Sequence, residues 1–83
     1  MNKKYLDQLI RVILKAKNRD EVLNLLEGIL TPQELIEIPM RLEIVKRLKK
    51  GDPQHQIAED LQVGVATVTR GSREIKRGKF KYV

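Results

Sequence analysis

The sequence predicts an all-α fold built from five helices. Apolar residues recur at spacings of three and four along nearly the whole chain, and no segment alternates with a period of two. Capping and stop signals divide this pattern into five segments. We expect a single domain over residues 1–83, with dimerisation helices in 1–50, a helix-turn-helix in 52–77 and a basic tail in 78–83.

The first two predicted helices are amphipathic. One apolar stripe indicates a helix from about residue 2 to residue 17, and its members are Tyr5, Leu6, Leu9, Ile10, Ile13 and Ala16. Asn18, followed three residues later by Glu21, is similar to a capping box. It predicts a second helix that ends near Gly28.

The third helix has the clearest start in the chain. In residues 31–34, with the sequence TPQE, the threonine can cap, the proline suits the first helical position and the glutamate can bond back to the threonine amide. This helix is predicted to end near Lys50. Pro39 lies inside it and lacks an amide hydrogen, which predicts a kink or break near Ile38.

The last two helices are short and separated by a short turn. A fourth helix opens at residues 52–53 and runs to about Leu61, and a fifth runs from about Val65 to Arg77. Two short helices joined in this way are typical of a helix-turn-helix, which needs a small residue where the helices cross and a small apolar core. Ala58 is the small residue where the two helices would cross. The apolar core between them would be formed by Ile57, Leu61, Val63 and Val68. Gln62 starts the turn, where positive φ is usual, at a cost of about 1 kcal/mol for a residue other than glycine.

Length and composition favour a dimer. A chain of 83 residues buries a modest core, and without cysteine it has no disulfide or thiolate metal site. No apolar run approaches the roughly 20 residues of a membrane span, and the charged N-terminal helix does not resemble a signal peptide. We therefore expect a cytoplasmic homodimer with no membrane association.

The positive charge is confined to the second half of the chain. Residues 1–40 carry six basic and six acidic side chains, whereas residues 41–83 carry eleven and five and so hold the whole net charge of +6. This asymmetry favours a polyanionic partner, the alternative being a solvated basic surface. Together with the helix-turn-helix, it predicts binding to double-stranded DNA.

The predicted DNA contacts centre on the start of the fifth helix. Small apolar residues there can approach a thymine methyl, hydroxyl groups can bond to bases, phosphates or water, and basic side chains suit phosphates. The candidate DNA-binding residues are Gln54, His55, Gly64, Val65, Ala66, Thr67, Thr69, Arg70, Ser72, Arg73 and Lys76. For His55, an ordinary surface histidine is the alternative.

Two stretches resemble the Trp repressor family. One is LTPQE at residues 30–34, followed by Arg41 and the Ile-Val pair at 44–45, and the other is GVATVTRGS at residues 64–72. The resemblance covers roughly residues 30–78. It implies an intertwined, multi-helical dimer in which each subunit presents one helix-turn-helix. The final helix of the family fold is expected to be absent from this chain.

The resemblance also implies a ligand slot. In tryptophan-responsive members of the family, the amino acid lies beside the reading head, which is the helix-turn-helix that contacts DNA. By this resemblance Arg41 and Arg70 would sandwich the indole, and Arg70 would pair with the carboxylate. Gly71 would leave room beside the ring, with Glu74 where the family has a small hydroxyl residue. Leu30 and Thr31 would lie near the ammonium group, so L-tryptophan or a related molecule is the candidate corepressor.

The leading interpretation is a transcriptional regulator, a repressor that binds a palindromic operator as a homodimer. One alternative is a helix-turn-helix adaptor that positions another protein on DNA without an effector, and another is a unit that only dimerises. A single histidine and no nucleophile–base arrangement give no indication of an enzyme, and no cofactor or metal is expected. Phe80 and Tyr82 are expected to pack the tail against the body of the chain or a partner subunit.

Overall fold

Five α-helices and no strand make up the structure, a computed structural model that describes residues 1–83. The helices are α1 (Lys3–Lys15), α2 (Arg19–Ile29), α3 (Pro32–Lys50), α4 (Gln54–Leu61) and α5 (Val65–Lys76). The predicted all-α class is therefore confirmed. Backbone contacts group the chain into two compact units, Met1–Leu35 and Ile36–Val83. None of the five helices combines the length and the apolar content needed to cross a bilayer.

Side-chain caps define the helix starts in the first unit. The Asn2 carboxamide oxygen accepts hydrogen bonds from the amides of Lys4 at 2.9 Å and Tyr5 at 3.2 Å. The Asn18 carboxamide oxygen accepts from the Glu21 amide at 3.0 Å, so the predicted start of α2 is confirmed. The Glu21 carboxylate reaches one residue further back than a capping box requires and accepts from the Lys17 amide at 3.0 Å.

The capping box at the start of α3 is complete. Thr31 Oγ1 accepts from the Glu34 amide at 3.1 Å, and the Glu34 carboxylate accepts from the Thr31 amide at 2.9 Å. The sequence predicted a kink or a break near Ile38, and the break is wrong, because α3 continues through Pro39 to Lys50, while the kink stays a prediction. Proline removes one hydrogen bond from a helix of 19 residues, whose remaining bonds and packed second half keep it continuous.

Neither α1 nor α2 contains a buried residue. Their apolar side chains are largely open to solvent in the single chain: Leu14 is 77% exposed, Ile13 49% and Ile10 44%. A short unit with uncovered apolar faces cannot gain much stability from its own core. These faces are consistent with a surface that another chain covers.

The buried core lies in the second unit. Ile44 and Val45 from α3, Ile57 and Ala58 from α4, and Val68 from α5 are the buried apolar residues. The predicted members Leu61 and Val63 pack against this cluster and are partly buried, as are Met40 and Leu48. The expected helix-turn-helix core is thus present, and α3 adds a side of the core that the periodicity of α4 and α5 did not reveal.

Residues with positive φ stand at all three helix ends in this unit, and Gly51, with φ 100°, follows α3. Gln62 has φ 56° and ψ 45°, and its amide donates to the carbonyls of Ala58 and Glu59. Gly78 has φ 89° and follows α5. Helix α5 ends at Lys76, one residue earlier than expected, and α4 begins at Gln54 rather than at residues 52–53, since Pro53 occupies the N-cap position.

Candidate nucleic-acid interface and adjacent cavity

Helices α4 and α5 form a tightly packed pair across the turn of residues 62–64. Ile57 of α4 and Val68 of α5 are fully buried, and Ala58 is 6% exposed. The Val63 amide donates to the Ala58 carbonyl at 3.1 Å, which closes the turn against the end of α4. A small residue, two buried branched residues and a closed turn fix the second helix against the first. The predicted helix-turn-helix requires these features.

The first turn of α5 is open to solvent. Gly64 is the N-cap and has no side chain to bond the first amides of the helix. Val65 is 54% exposed, and Ala66, Thr67 and Arg70 are also exposed. An exposed valine beside small and hydroxyl residues at a helix start leaves little steric hindrance to entry into a major groove.

Gln54 and Thr69 lie together where α4 and α5 meet. The Thr69 hydroxyl donates to the Gln54 side-chain oxygen at 3.0 Å, and both residues are half-buried. The Gln54 amide nitrogen remains available as a donor, while the Thr69 hydroxyl is already engaged. Of the other predicted contact residues, His55, Arg73 and Lys76 are exposed and Ser72 is half-buried.

An ion-pair network fixes α4 to the end of α3. The Arg47 guanidinium contacts Asp52 at 2.7 Å and Asp60 at 2.8 Å, and the Gln56 amide donates to Asp60 at 2.7 Å. Hydrogen bonds to Asp52 and then Asp60 raise the pKa of Arg47. The hydrogen bond from Arg47, followed by that from Gln56, lowers the pKa of Asp60. The network was not predicted, because its partners lie on different elements and form no local pattern.

A cavity of about 380 Å³ lies beside the helix-turn-helix. Its walls come from α3, α5 and the tail, and they are lined by Arg41, Ile44, Val45, Ala66, Thr67, Arg70, Gly71, Glu74 and Phe80. The structure therefore brings together four of the six predicted ligand residues, namely Arg41, Arg70, Gly71 and Glu74. Leu30 and Thr31 belong to the first unit, Met1–Leu35.

Charge and close packing characterise this cavity. Neither Arg41 nor Arg70 forms an ion pair, whereas Glu74 pairs with Arg77 at 3.2 Å. Gly71 lies where α5 approaches α3, since a Cβ there would be 3.3 Å from Leu48 and 3.4 Å from Ile44. Two unpaired guanidinium groups above an apolar floor suit an anionic group attached to an aromatic ring.

The aromatic residues of the tail differ from each other. Phe80 is half-buried and lines the cavity, in agreement with the expected packing against the body of the chain. Tyr82 is fully exposed in the single chain, which leaves only the expected contact with a partner. A role for Phe80 in the cavity was not predicted, because the fold of the tail depends on contacts with α3.

Comparison with known proteins finds the same family that the sequence motifs resemble. The family model described as "Trp repressor protein" matches residues 4–83. The chain is similar to the "Trp operon repressor homolog" of Vibrio vulnificus, with 41% identity over 69 residues that cover 82% of this chain and 65% of the relative. It is also similar to the protein of the same name in Aliivibrio salmonicida, with 41% identity over 76 residues, or 88% of this chain and 70% of the relative.

A relative from Bacillus subtilis, "Uncharacterized protein YerC", is 30% identical over 79 residues, which are 95% of this chain and 76% of that protein. The chain spans 65% of the length of the Vibrio vulnificus relatives, which is less than two thirds of those proteins. No solved structure matches the chain significantly. On the match across residues 4–83 and the identity of about 41% to named homologs, this chain belongs to the Trp repressor family.

Proposed function

We propose that this chain is a sequence-specific DNA-binding transcriptional regulator, a repressor that binds a palindromic operator as a homodimer. The observation that carries the proposal is the exposed start of α5, which packs against α4 through the buried residues Ile57, Ala58 and Val68. Membership of the family and the names of the homologs support a role in regulation. In this role the first turn of α5 reads base edges and the surrounding side chains contact phosphates.

The roles of the contact residues follow from their exposure and chemistry. Val65 and Ala66 approach thymine methyl groups, and Thr67 bonds to a base or a bridging water. Phosphates are contacted by the Gln54 amide nitrogen, the first amides of α5 after Gly64, and these side chains: His55, Arg70, Ser72, Arg73 and Lys76. Thr69 contributes by orienting Gln54 through their hydrogen bond.

The homodimer is supported by the open apolar faces of α1 and α2. A second copy that covers Ile10, Ile13 and Leu14 would bury apolar area that the single chain leaves in water. Two reading heads related by a two-fold axis then require half-sites spaced by about one helical turn of DNA, roughly 34 Å. Sedimentation equilibrium should give twice the 9.6 kDa mass of the chain.

A binding selection from random duplex DNA tests the proposal. Recovery of a palindromic motif supports it, and recovery of no motif would contradict it. Arg70→Ala should weaken binding to the recovered duplex and reduce the slope of log K against log salt by about one unit. Lys15→Ala in α1 removes the same charge from the dimerisation half of the chain and is the matched control. A pull-down that returns one stoichiometric protein partner while the selection returns no operator would favour the adaptor alternative.

The cavity favours a second candidate role, the binding of a small-molecule corepressor. Unpaired Arg41 and Arg70 would stack on an aromatic ring and bind a carboxylate, and Glu74 would attract an ammonium group. L-tryptophan is the candidate ligand by family resemblance, with Leu30 and Thr31 as further candidate contacts. Calorimetry with L-tryptophan should give a dissociation constant below 1 mM that Arg41→Ala weakens by about tenfold, equivalent to roughly 1.4 kcal/mol. Absence of binding at millimolar concentration would remove this role.

A further inference from the structure

The residues after α5 fold back along the molecule instead of extending into solvent. The Gly78 amide donates to the Ile75 carbonyl at 3.0 Å and the Lys79 amide donates to the Glu74 carbonyl at 3.0 Å. With φ 89° at Gly78, these bonds form a helix-ending motif that reverses the chain. We call residues 78–83 the C-terminal strap.

A lysine of α3 holds the strap in place. The Lys49 ammonium donates to the carbonyl of Phe80 and, at 3.1 Å, to the backbone oxygen of Val83. These contacts join residues 31 and 34 positions apart in the sequence. They connect the last turn of α3 to the segment that follows α5.

Phe80 holds an unfavourable backbone conformation in this strap. Its φ of 60° lies in the left-handed region, which a bulky residue occupies only when its surroundings impose it. The surroundings here are the contact with Lys49 and the cavity, whose lining includes Phe80 together with Ile44 and Val45 of α3 and Glu74 of α5. The strap is therefore bonded to α3 through Lys49 and to α5 through the Lys79 amide and the Glu74 carbonyl.

Helix α5 packs more extensively against α4 than against α3. Its contact with α3 is made by Val68, which lies in one buried cluster with Ile44, and by Gly71, which lies close to Leu48 and Ile44. The Arg47 network fixes α4 to α3 and does not reach α5. On the tail side of the cavity, the strap links the C-terminal end of α5 to α3.

We propose that the strap positions α5 for DNA binding in the absence of any effector, with Phe80 and Lys49 as positioning residues. This inference rests on the proposed DNA-binding function. The strap acts by raising the fraction of molecules in which α5 is docked on α3. If its loss reduces that fraction from nearly all molecules to one in five or one in ten, the apparent affinity for DNA falls by about five- to tenfold.

Two measurements on the full chain, made without any small molecule, test the proposal. The first is backbone amide hydrogen exchange of α5 in the free protein, and the second is affinity for the selected duplex over a range of salt concentrations. Phe80→Ala and Lys49→Gln should each accelerate exchange in α5 and weaken DNA binding by about five- to tenfold. The affinity of the double variant for the duplex should lie within about twofold of the affinity of the weaker-binding single variant, because both changes release the same strap.

Matched controls separate positioning from direct contact. Lys50→Gln removes the same charge from the neighbouring exposed position, and it should leave α5 exchange unchanged. The salt slope of Lys49→Gln should equal that of wild type, whereas loss of a phosphate contact would lower it by about one unit. Phe80→Leu, which keeps an apolar side chain against the cavity wall, should retain most of the affinity.

Several results would overturn the proposal. A reduced salt slope for Lys49→Gln would show that Lys49 contacts a phosphate. If amide exchange in α5 is unchanged in Phe80→Ala and in Lys49→Gln while DNA binding is intact, the proposed role of the strap is refuted and the proposed DNA-binding function is not. If the wild-type chain binds no duplex, the proposed function fails and so does the role of the strap in DNA binding. The exchange data then still show whether the strap restrains α5, so the two failures are distinguishable.

Discussion

The left-handed backbone at Gln62 leads to a prediction about stability. With φ 56° and ψ 45°, this residue has a conformation that costs a side chain with a Cβ about 1–2 kcal/mol and costs glycine almost nothing. The Gln62 side chain is exposed, so its removal costs no core packing. Glycine also gains freedom in the unfolded chain, which offsets about 0.4–1 kcal/mol of the benefit. Gln62→Gly should therefore raise the free energy of unfolding by about 0.5–1 kcal/mol.

Urea denaturation followed by circular dichroism measures this change. All variants must be compared at one protein concentration, since the stability of an oligomer depends on concentration. An increase of 1 kcal/mol corresponds to a rise in melting temperature of roughly 4–8 °C for a chain of this size. Gln62→Ala keeps the Cβ and the strain, and it should match wild type within about 0.5 kcal/mol. A Gln62→Gly variant no more stable than wild type, or a Gln62→Ala variant equally stabilised, would refute the argument.

Three further predictions concern the core, the ion network and the reading head. Ile57→Ala should destabilise the chain by about 2–5 kcal/mol in urea denaturation, because Ile57 is fully buried, while Val65→Ala should change stability by less than about 0.5 kcal/mol. The pKa of Asp60 is lowered from its usual value of 3.8. The contribution of the ionised Asp60 carboxylate to the free energy of unfolding is therefore complete above pH 3.8 and is lost as the pH falls through the lower, folded-state pKa. Denaturation midpoints between pH 6 and pH 2.5 should thus fall less for Asp60→Asn than for wild type, and parallel curves would contradict this. Thr69→Val should weaken affinity for the selected duplex by about fivefold through loss of one hydrogen bond to Gln54, with an unchanged melting temperature separating this effect from unfolding.

Features fixed by neighbouring residues could be predicted from the sequence. The caps at Asn18 and Thr31 involve groups no more than four residues apart, and they appear where the sequence places them. The spacing of α4, the turn and α5 predicted a buried Ile57 and Val68 and a left-handed first turn residue. Pro39 does not break α3, because the cooperativity of a long helix outweighs the loss of one hydrogen bond.

The candidate site could be predicted only in part. Residues at the start of α5 were identified from their spacing, since a helix presents its first turn wherever it begins. The family resemblance predicted that one cavity brings together Arg41, Arg70 and Glu74, whereas no local pattern predicted it. The contribution of Phe80 could not be predicted, because it depends on a lysine 31 positions earlier in the sequence.

The sequence by itself therefore determined the class of the fold, the order of the helices and the helix-turn-helix, all of which depend on periodicity and on bonds spanning a few residues. Tertiary structure decided which charges meet and where the tail lies. Arg47 pairs with Asp52 and Asp60, and Lys49 holds the strap, because packing brings α3 close to α4 and to the end of the chain. Such choices among many possible partners depend on distances between elements, and a linear pattern of residues does not contain them.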